Sequence, residues 1–198
     1  MPLFRNLFIM RQFLLALTLM SRLLSSAGAA DNQIFKTNSF TVGKQGTLEI
    51  LTPTDWTFVQ TNLYLLGNPP SVELHSPGNA TEIRISAYWD GFSGKISNPT
   101  AADFENIVSN VCVLKYVPAS VEKNVVLEKL QGPAVSGTFA RFTDATWVPM
   151  LNNDHRVVVT GMFRSGNIWG NFDMVTGDKN GPMFKQGLQV LESIRRKP

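Results

Sequence analysis

The sequence predicts an α+β fold in which a mainly antiparallel β-sheet is flanked by helices. Short runs of β-type residues separated by turn residues recur along the chain. Two further segments, one in the middle and one at the C-terminal end, have the apolar spacing of helices instead. Because short turns join most of the strands, we expect neighbouring strands to run antiparallel.

Two hairpins are predicted in the N-terminal half. Their strands are Ser39–Val42, Thr47–Leu51, Ser71–His75 and Thr81–Trp89. Residues 43–46 and 76–79 are rich in glycine and other turn formers and connect the strands of each pair. The segment from Asp31 to about Thr37 is expected to be a loose lead-in, and Trp56–Leu66 is mixed in character, either strand or irregular.

The first predicted helix follows Pro99. Its apolar residues fall at the spacing i, i+3, i+4, i+7, which places them on one face of a helix: Phe104, Ile107, Val108 and Val111. Thr100 is suited to cap the N-terminus, with Asp103 in the first turn. Pro118 implies that the helix ends by Tyr116.

The second predicted helix begins at Pro182, since proline is favoured at the first helical position. Its apolar stripe consists of Phe184, Leu188, Leu191 and Ile194. The basic residues 195–197 are expected to complement the C-terminal end of the helix dipole.

Four strands are predicted between the helices, and the last two form a hairpin. They are Asn124–Leu130, Gly137–Thr143, Arg156–Arg164 and Ile168–Thr176. A two-residue turn at Gly166 and Asn167 pairs Arg164 with Trp169. The same register pairs Thr160 with Asp173 and Val159 with Met174 further from the turn. Side chains alternate between faces, so one face is predicted to be core: Val157, Val159, Phe163, Phe172 and Met174.

The other face of this hairpin is the candidate binding surface, and it carries Arg164, Trp169 and Asp173 beside Thr160, Met162 and Asn171. Arg164 opposite Trp169 is placed for a cation–π pair. Two interpretations remain open. Either a helix or loop covers this face and the arginine caps it, or the three residues line a groove where a partner docks, since Trp and Arg are frequent in binding hot spots.

Residues 1–30 have the composition of a secretory signal peptide, and 31–198 are expected to form a single domain. Arg5 and Arg11 precede the apolar run Phe13–Met20, and small residues follow at 25–30. Cleavage after Ala29 or Ala30 fits equally well, and Met10 is an alternative start. The predicted location is the periplasm or the cell exterior.

Removal of the signal changes the charge of the protein. The chain has a formal net charge of +3, but three of its 18 basic residues, Arg5, Arg11 and Arg22, precede the first acid, Asp31. The mature chain therefore has 15 basic and 15 acidic residues. A neutral protein of this kind is not expected to bind nucleic acid or anionic lipid, and no membrane span is expected after residue 30.

No pattern of residues indicates a metal, a cofactor or a catalytic nucleophile. His75 and His155 have no neighbouring ligands at metal-binding spacing. Cys112, the single cysteine, excludes an internal disulfide and is predicted to be buried and inert. Acids distant in sequence remain free to meet in the fold, so a carboxylate-based site stays open.

Two short motifs and the order of elements resemble PsbP-like domains. Residues 53–56, Pro-Thr-Asp-Trp, are similar to the Pro-x-x-Trp step early in that family, and residues 184–195 are similar to its closing helix. The fold is shared with the Mog-type Ran-binding proteins. The resemblance implies an α/β/α sandwich, with helices on both faces of the sheet, and a non-enzymatic binding role.

Three functions are consistent with the sequence. The first is an exported binding or assembly module that acts through contacts with a small ligand or with a protein of the periplasm or envelope. The second is a small exported hydrolase whose carboxylates come together only in the fold. The third is a structural accessory of the envelope.

Export makes the first testable prediction. N-terminal sequencing of the protein from its native host is expected to begin at Ala30 or Asp31, because signal peptidase cleaves after small residues. Cytosolic protein with an intact Met1 or Met10 would contradict it.

Overall fold

A computed structural model of the chain describes residues 34–61, 68–92, 98–146 and 155–197. The predicted signal peptide, residues 1–30, lies outside the described residues. Within them, no helix has both the length and the apolar character needed to cross a membrane.

Ten strands in two antiparallel sheets make up most of the regular secondary structure of the described residues. The smaller sheet, in the order β1-β2-β10, consists of β1 Phe35–Thr41, β2 Thr47–Pro53 and β10 Arg195–Lys197. The larger consists of β3 Thr57–Thr61, β4 Ser71–His75, β5 Thr81–Trp89, β6 Glu128–Gln131, β7 Ser136–Thr143, β8 Val157–Ser165 and β9 Ile168–Thr176. Its order is β3-β4-β5-β9-β8-β7-β6, so β9 lies between β5 and β8.

Two helices, α1 Ala101–Lys115 and α2 Pro182–Glu192, lie on opposite faces of the large sheet. The apolar residues of α2 share a core with the small sheet and with Val159, Phe163 and Phe172 of the large one. Those of α1 form a second, smaller core with Phe142, Met162 and Trp169 on the other face. The predicted α+β sandwich is confirmed.

The local predictions are confirmed where turn chemistry is specific. Both N-terminal hairpins are present. Helix α1 has a capping box in which Thr100 and Asp103 each accept a hydrogen bond from the backbone N–H of the other. The β8–β9 hairpin closes at Gly166, whose φ is 62°, and pairs Arg164 with Trp169 and Thr160 with Asp173 as predicted.

Three predictions about the ends of elements are wrong. Strand β1 begins at Phe35, so residues 35–37 belong to a strand and not to a loose lead-in, whereas residues 31–33 lie outside the described residues. The basic residues 195–197 form β10 and pair with β2 instead of complementing a helix dipole. Strand β6 begins at Glu128, four residues later than predicted. Only β10 pairs with a strand that is distant in sequence, which local patterns do not contain, whereas β1 and β6 pair with the next strands along the chain, β2 and β7.

The buried stripe of α1 also differs from the prediction at its end. It consists of Phe104, Val108 and Cys112, whereas Val111 is 41% exposed. Cys112 is fully buried, as predicted. Burial, and to a lesser degree the negative charge of Asp173, raises the pKa of its thiol to about 11, which disfavours the reactive thiolate.

The loop after α1 is fastened to the sheet by one carboxylate. Glu122 accepts hydrogen bonds from the backbone N–H of Thr143 at 2.6 Å, from the hydroxyl of Thr143 at 2.9 Å and from Lys179 at 2.8 Å. Burial disfavours the charged form of Glu122, but these donors outweigh it and lower its pKa to about 2. The contacts keep the C-terminal end of α1 near β7.

This carboxylate gives a testable prediction of pH-dependent stability. Glu122→Gln is expected to lower the free energy of unfolding at pH 7 by about 1–3 kcal/mol, because charge-assisted hydrogen bonds are lost. The folded-state pKa is about 2 and the ordinary value is 4.5, so the stabilisation is present above pH 4.5 and disappears as the pH falls towards 2. Urea unfolding should therefore show a smaller difference in the free energy of unfolding between wild type and variant at pH 3 than at pH 7.

Glu105→Gln is the matched control. Glu105 pairs with Lys129, but the two side chains are 39% and 66% exposed, so its loss is expected to change stability by no more than about 0.5 kcal/mol. Equal destabilisation by the two variants, or a difference for Glu122→Gln that does not depend on pH, would contradict the assignment.

Candidate functional site: a groove between helix α1 and the sheet

A groove of about 390 Å³ opens beside α1 on the outer face of the large sheet. Helix α1 packs on β7 and β8, whereas among the described residues neither helix packs closely on β3 or β4 on this face. The groove, called the helix–sheet groove below, is lined by Tyr88, Ile107, Val108, Val111, Lys115, Tyr116, Thr160, Gly161, Met162, Trp169, Asn171 and Asp173. Its volume lies in the range of small-molecule sites.

An aromatic pair forms the apolar part of the groove. Tyr88 on β5 is the register partner of Trp169 on β9, so the two side chains leave the same face of the sheet. Their rings stack with centroids 4.9 Å apart and an interplanar angle of 21°. Trp169 is 7% exposed and packs in the core below α1, so it is at once a core residue and a wall of the groove.

Trp169 also brings a polar group without a partner. The indole nitrogen Nε1 of Trp169 is buried and has no hydrogen-bond acceptor within the part of the chain that the structure describes. A buried donor without an acceptor costs about 1–3 kcal/mol. Such exceptions are few in folded proteins.

Asp173 is the second polar group without a direct partner. It lies opposite Arg84 of β5 and Thr160 of β8. Arg84 turns away to Glu73, donating to one carboxylate oxygen from Nε at 2.9 Å and from Nη2 at 2.5 Å. No described residue donates a hydrogen bond to the carboxylate of Asp173 or forms an ion pair with it.

Lys115, at the end of α1, also lines the groove but is associated with another side chain. Its ammonium lies 4.8 Å from the centre of the Tyr116 ring. The pKa of Lys115 is raised, first by a hydrogen bond with Tyr116 and only lastly by the charge of Asp173. The lysine therefore contributes positive charge to the rim without neutralising Asp173.

The three residues singled out from the sequence do not form one site. Trp169 and Asp173 both line the helix–sheet groove, whereas Arg164 lies at the other end of α1. There its guanidinium donates to the side chain of Asn98 at 2.9 Å and to the carbonyl of Pro99. The ring it faces is Phe104, at 5.8 Å, and not Trp169. The predicted cation–π pair is wrong because the arginine caps the segment before α1.

Sequence analysis missed Tyr88, Lys115 and Tyr116 as residues of the groove. The alternation of β5 already places Tyr88 on the same face as Glu82 and Arg84. What it does not contain is the pairing of β5 with β9, strands separated by nearly eighty residues. Lys115 and Tyr116 reach the groove only because α1 crosses this face.

A second, smaller depression lies on the open part of the same face. It has a volume of about 190 Å³ and is lined by Glu73, His75, Glu82, Ile83, Arg84, Asp173 and Val175. Asp173 thus borders both cavities. Across the described ranges, no group of three or more His, Cys, Asp or Glu side chains is arranged to hold a metal ion.

Comparisons with known proteins show a likeness in fold only. No family model matches the chain, and no curated protein matches it. The chain is similar to the solution structure of PsbP from the cyanobacterium Synechocystis sp. PCC 6803, at 13% identity and a TM-score of 0.46, over 87% of this chain and 99% of that one. The resemblance of the sequence to PsbP-like domains is thus matched by a fold likeness at low identity, which brings no function to this chain.

A second similar structure is a crystal structure of a protein from Bacteroides thetaiotaomicron VPI-5482. Its identity is 13% and its TM-score is 0.41, over 76% of this chain and 45% of that one. The chain therefore spans less than half the length of that protein.

The two roles of Trp169 make a prediction about stability. Trp169→Ala is expected to lower the free energy of unfolding by about 3–5 kcal/mol, because it opens a cavity in the core below α1. Trp169→Phe is expected to cost only about 1 kcal/mol, since it keeps a ring against Tyr88 and removes a donor that has no partner. Urea unfolding followed by circular dichroism measures both.

Trp56→Phe serves as the control. Trp56 is 1% exposed and its indole N–H donates to Gln186 at 3.2 Å, so this substitution loses a hydrogen bond that Trp169→Phe does not. We expect Trp56→Phe to be the more destabilising of the two. The reverse order would show that the Trp169 N–H has an acceptor in the native protein.

Proposed function

We propose that the protein is an exported, non-enzymatic binding module that holds a small amphipathic molecule in the helix–sheet groove. In this proposal residues 1–30 are the signal peptide, and residues 31–198 form the mature domain in the periplasm or outside the cell. The single observation that carries the proposal is the groove itself. It combines a stacked aromatic wall with a buried donor and a half-buried carboxylate that have no partners among the described residues.

The chemistry of the lining supports binding better than catalysis. Tyr88, Ile107 and Val111 are partly exposed and offer apolar surface to a ligand, and polar side chains such as Asp173 and Asn171 also line the groove. The thiol of Cys112, the single cysteine, is fully buried, and its raised pKa keeps it protonated. The groove therefore has the composition of a recognition site.

NMR on the 15N-labelled protein tests the proposal. The probes are indole, 2-phenylethanol, 2-phenylethylamine and 3-phenylpropionate, each titrated to millimolar concentration. At least one is expected to shift the indole N–H resonance of Trp169, identified by its disappearance in Trp169→Phe. The resonance of Trp56, whose N–H is bonded to Gln186 on the other side of the sheet, is expected to stay in place.

Two substitutions on α1 provide a matched pair. Val111 lines the groove and is 41% exposed, whereas Val113 is 55% exposed and does not line it. Val111→Arg is expected to weaken probe binding at least tenfold by occupying the groove, and Val113→Arg to leave it unchanged. Failure of all four probes to shift Trp169, or equal loss in the two variants, would overturn the proposal.

A further inference from the structure

We propose that the ligand of the helix–sheet groove is a small organic cation, with an ammonium group beside Asp173 and an apolar body against Tyr88 and Trp169. This inference rests on the proposed function and adds the chemical class of the ligand. Three observations support it: the position of Asp173 in the sheet, the charges around it, and the faces of the Tyr88 and Trp169 rings.

The position of Asp173 is unusual for an unpaired carboxylate. It lies on β9, the strand that is flanked by β5 and β8 in the middle of the large sheet. Its side chain is half-buried, and the cation directly across the ladder, Arg84, is engaged by Glu73 at 2.5 Å. A carboxylate that is partly removed from water without a partner is destabilising, and a bound cation would relieve that cost.

The surrounding charges reinforce the preference for a cation. The depression next to the groove adds the carboxylates of Glu73 and Glu82 to that of Asp173. Arg84 compensates Glu73, and Lys115 lies over the Tyr116 ring at 4.8 Å. Apart from His75, the two cavities together are lined by three carboxylates and two basic side chains, Arg84 and Lys115.

The negative charge of Asp173 also affects the pKa of a buried residue, Cys112. Cys112 is fully buried in α1 among the residues packed below the groove. Burial is the main reason that its pKa is raised, and the negative charge of Asp173 is the second. Cys112 thus lies within electrostatic reach of Asp173.

The aromatic wall suits the remainder of such a ligand. The stacked rings of Tyr88 and Trp169 offer apolar area to a flat hydrocarbon, and aromatic faces attract organic cations within about 6 Å. Tyr116 already has Lys115 over its ring, so the rings of Tyr88 and Trp169 are the ones left for the ligand.

Three probes of nearly the same shape separate charge from shape. At pH 7, 2-phenylethylamine is a cation, 2-phenylethanol is neutral and 3-phenylpropionate is an anion. Their dissociation constants are measured from the Trp169 indole N–H resonance at low ionic strength, where charge effects are least screened. We expect the amine to bind at least tenfold more tightly than the alcohol, and the anion to bind most weakly.

Asp173→Asn tests the residue itself. The variant is expected to reduce amine affinity about tenfold, to that of the alcohol, while the affinity for the alcohol stays the same. Asp55→Asn removes the same charge from an exposed turn and is expected to change neither. A dispersed backbone amide spectrum like that of the wild type shows that each variant is folded.

The outcomes are distinct. The cation inference would be overturned if the alcohol or the propionate bound as tightly as the amine. It would also be overturned if Asp173→Asn kept the full affinity for the amine. In either case the groove would be a binding site for another class of molecule. The comparison of the three probes on the wild-type protein remains decisive if Asp173→Asn does not fold. Binding of none of the three would overturn the inference, and the tests of the proposed function would then decide whether the groove binds anything.

Discussion

Strand β9 pairs along all nine of its residues with β5 on one side and β8 on the other, and this double pairing constrains both faces of the protein. Because side chains alternate along a strand, a single register decides which residues enter the main core and which line the groove. Phe172 and Met174 join the large core, while Trp169 and Asp173 leave on the other face. A slip of one residue would exchange the two sets.

The pairing also depends on a position without a side chain. A Cβ on Gly170 would lie 2.2 Å from the carbonyl oxygen of Ser86 and 2.6 Å from the ring of Phe163. Glycine at this point lets β5 approach β9 and lets Phe163 fill the main core beneath. The same approach brings Tyr88 onto Trp169, so close packing on one face and the aromatic wall on the other have a common origin.

The electrostatics of the groove depend on which partners the neighbouring basic side chains bind. Arg84 lies across from Asp173 but bonds Glu73, and Lys115 lies over Tyr116. Arg164 satisfies Asn98 and the carbonyl of Pro99 before α1. Each of these three cations thus has a partner other than Asp173, and no described basic side chain forms an ion pair with that carboxylate in the middle of the sheet.

The sequence by itself determined the α+β class, the two helices, the hairpins and the faces of β8 and β9, because turn residues and side-chain periodicity are local properties. It did not contain the pairing of β5 with β9, the return of residues 195–197 to β2 or the path of α1 across the sheet. Trp169 and Asp173 were recognisable as candidates from alternation alone. Contacts between distant segments placed these two residues beside Tyr88 and Lys115 and away from Arg164. Only tertiary packing determines which of several possible partners a side chain meets.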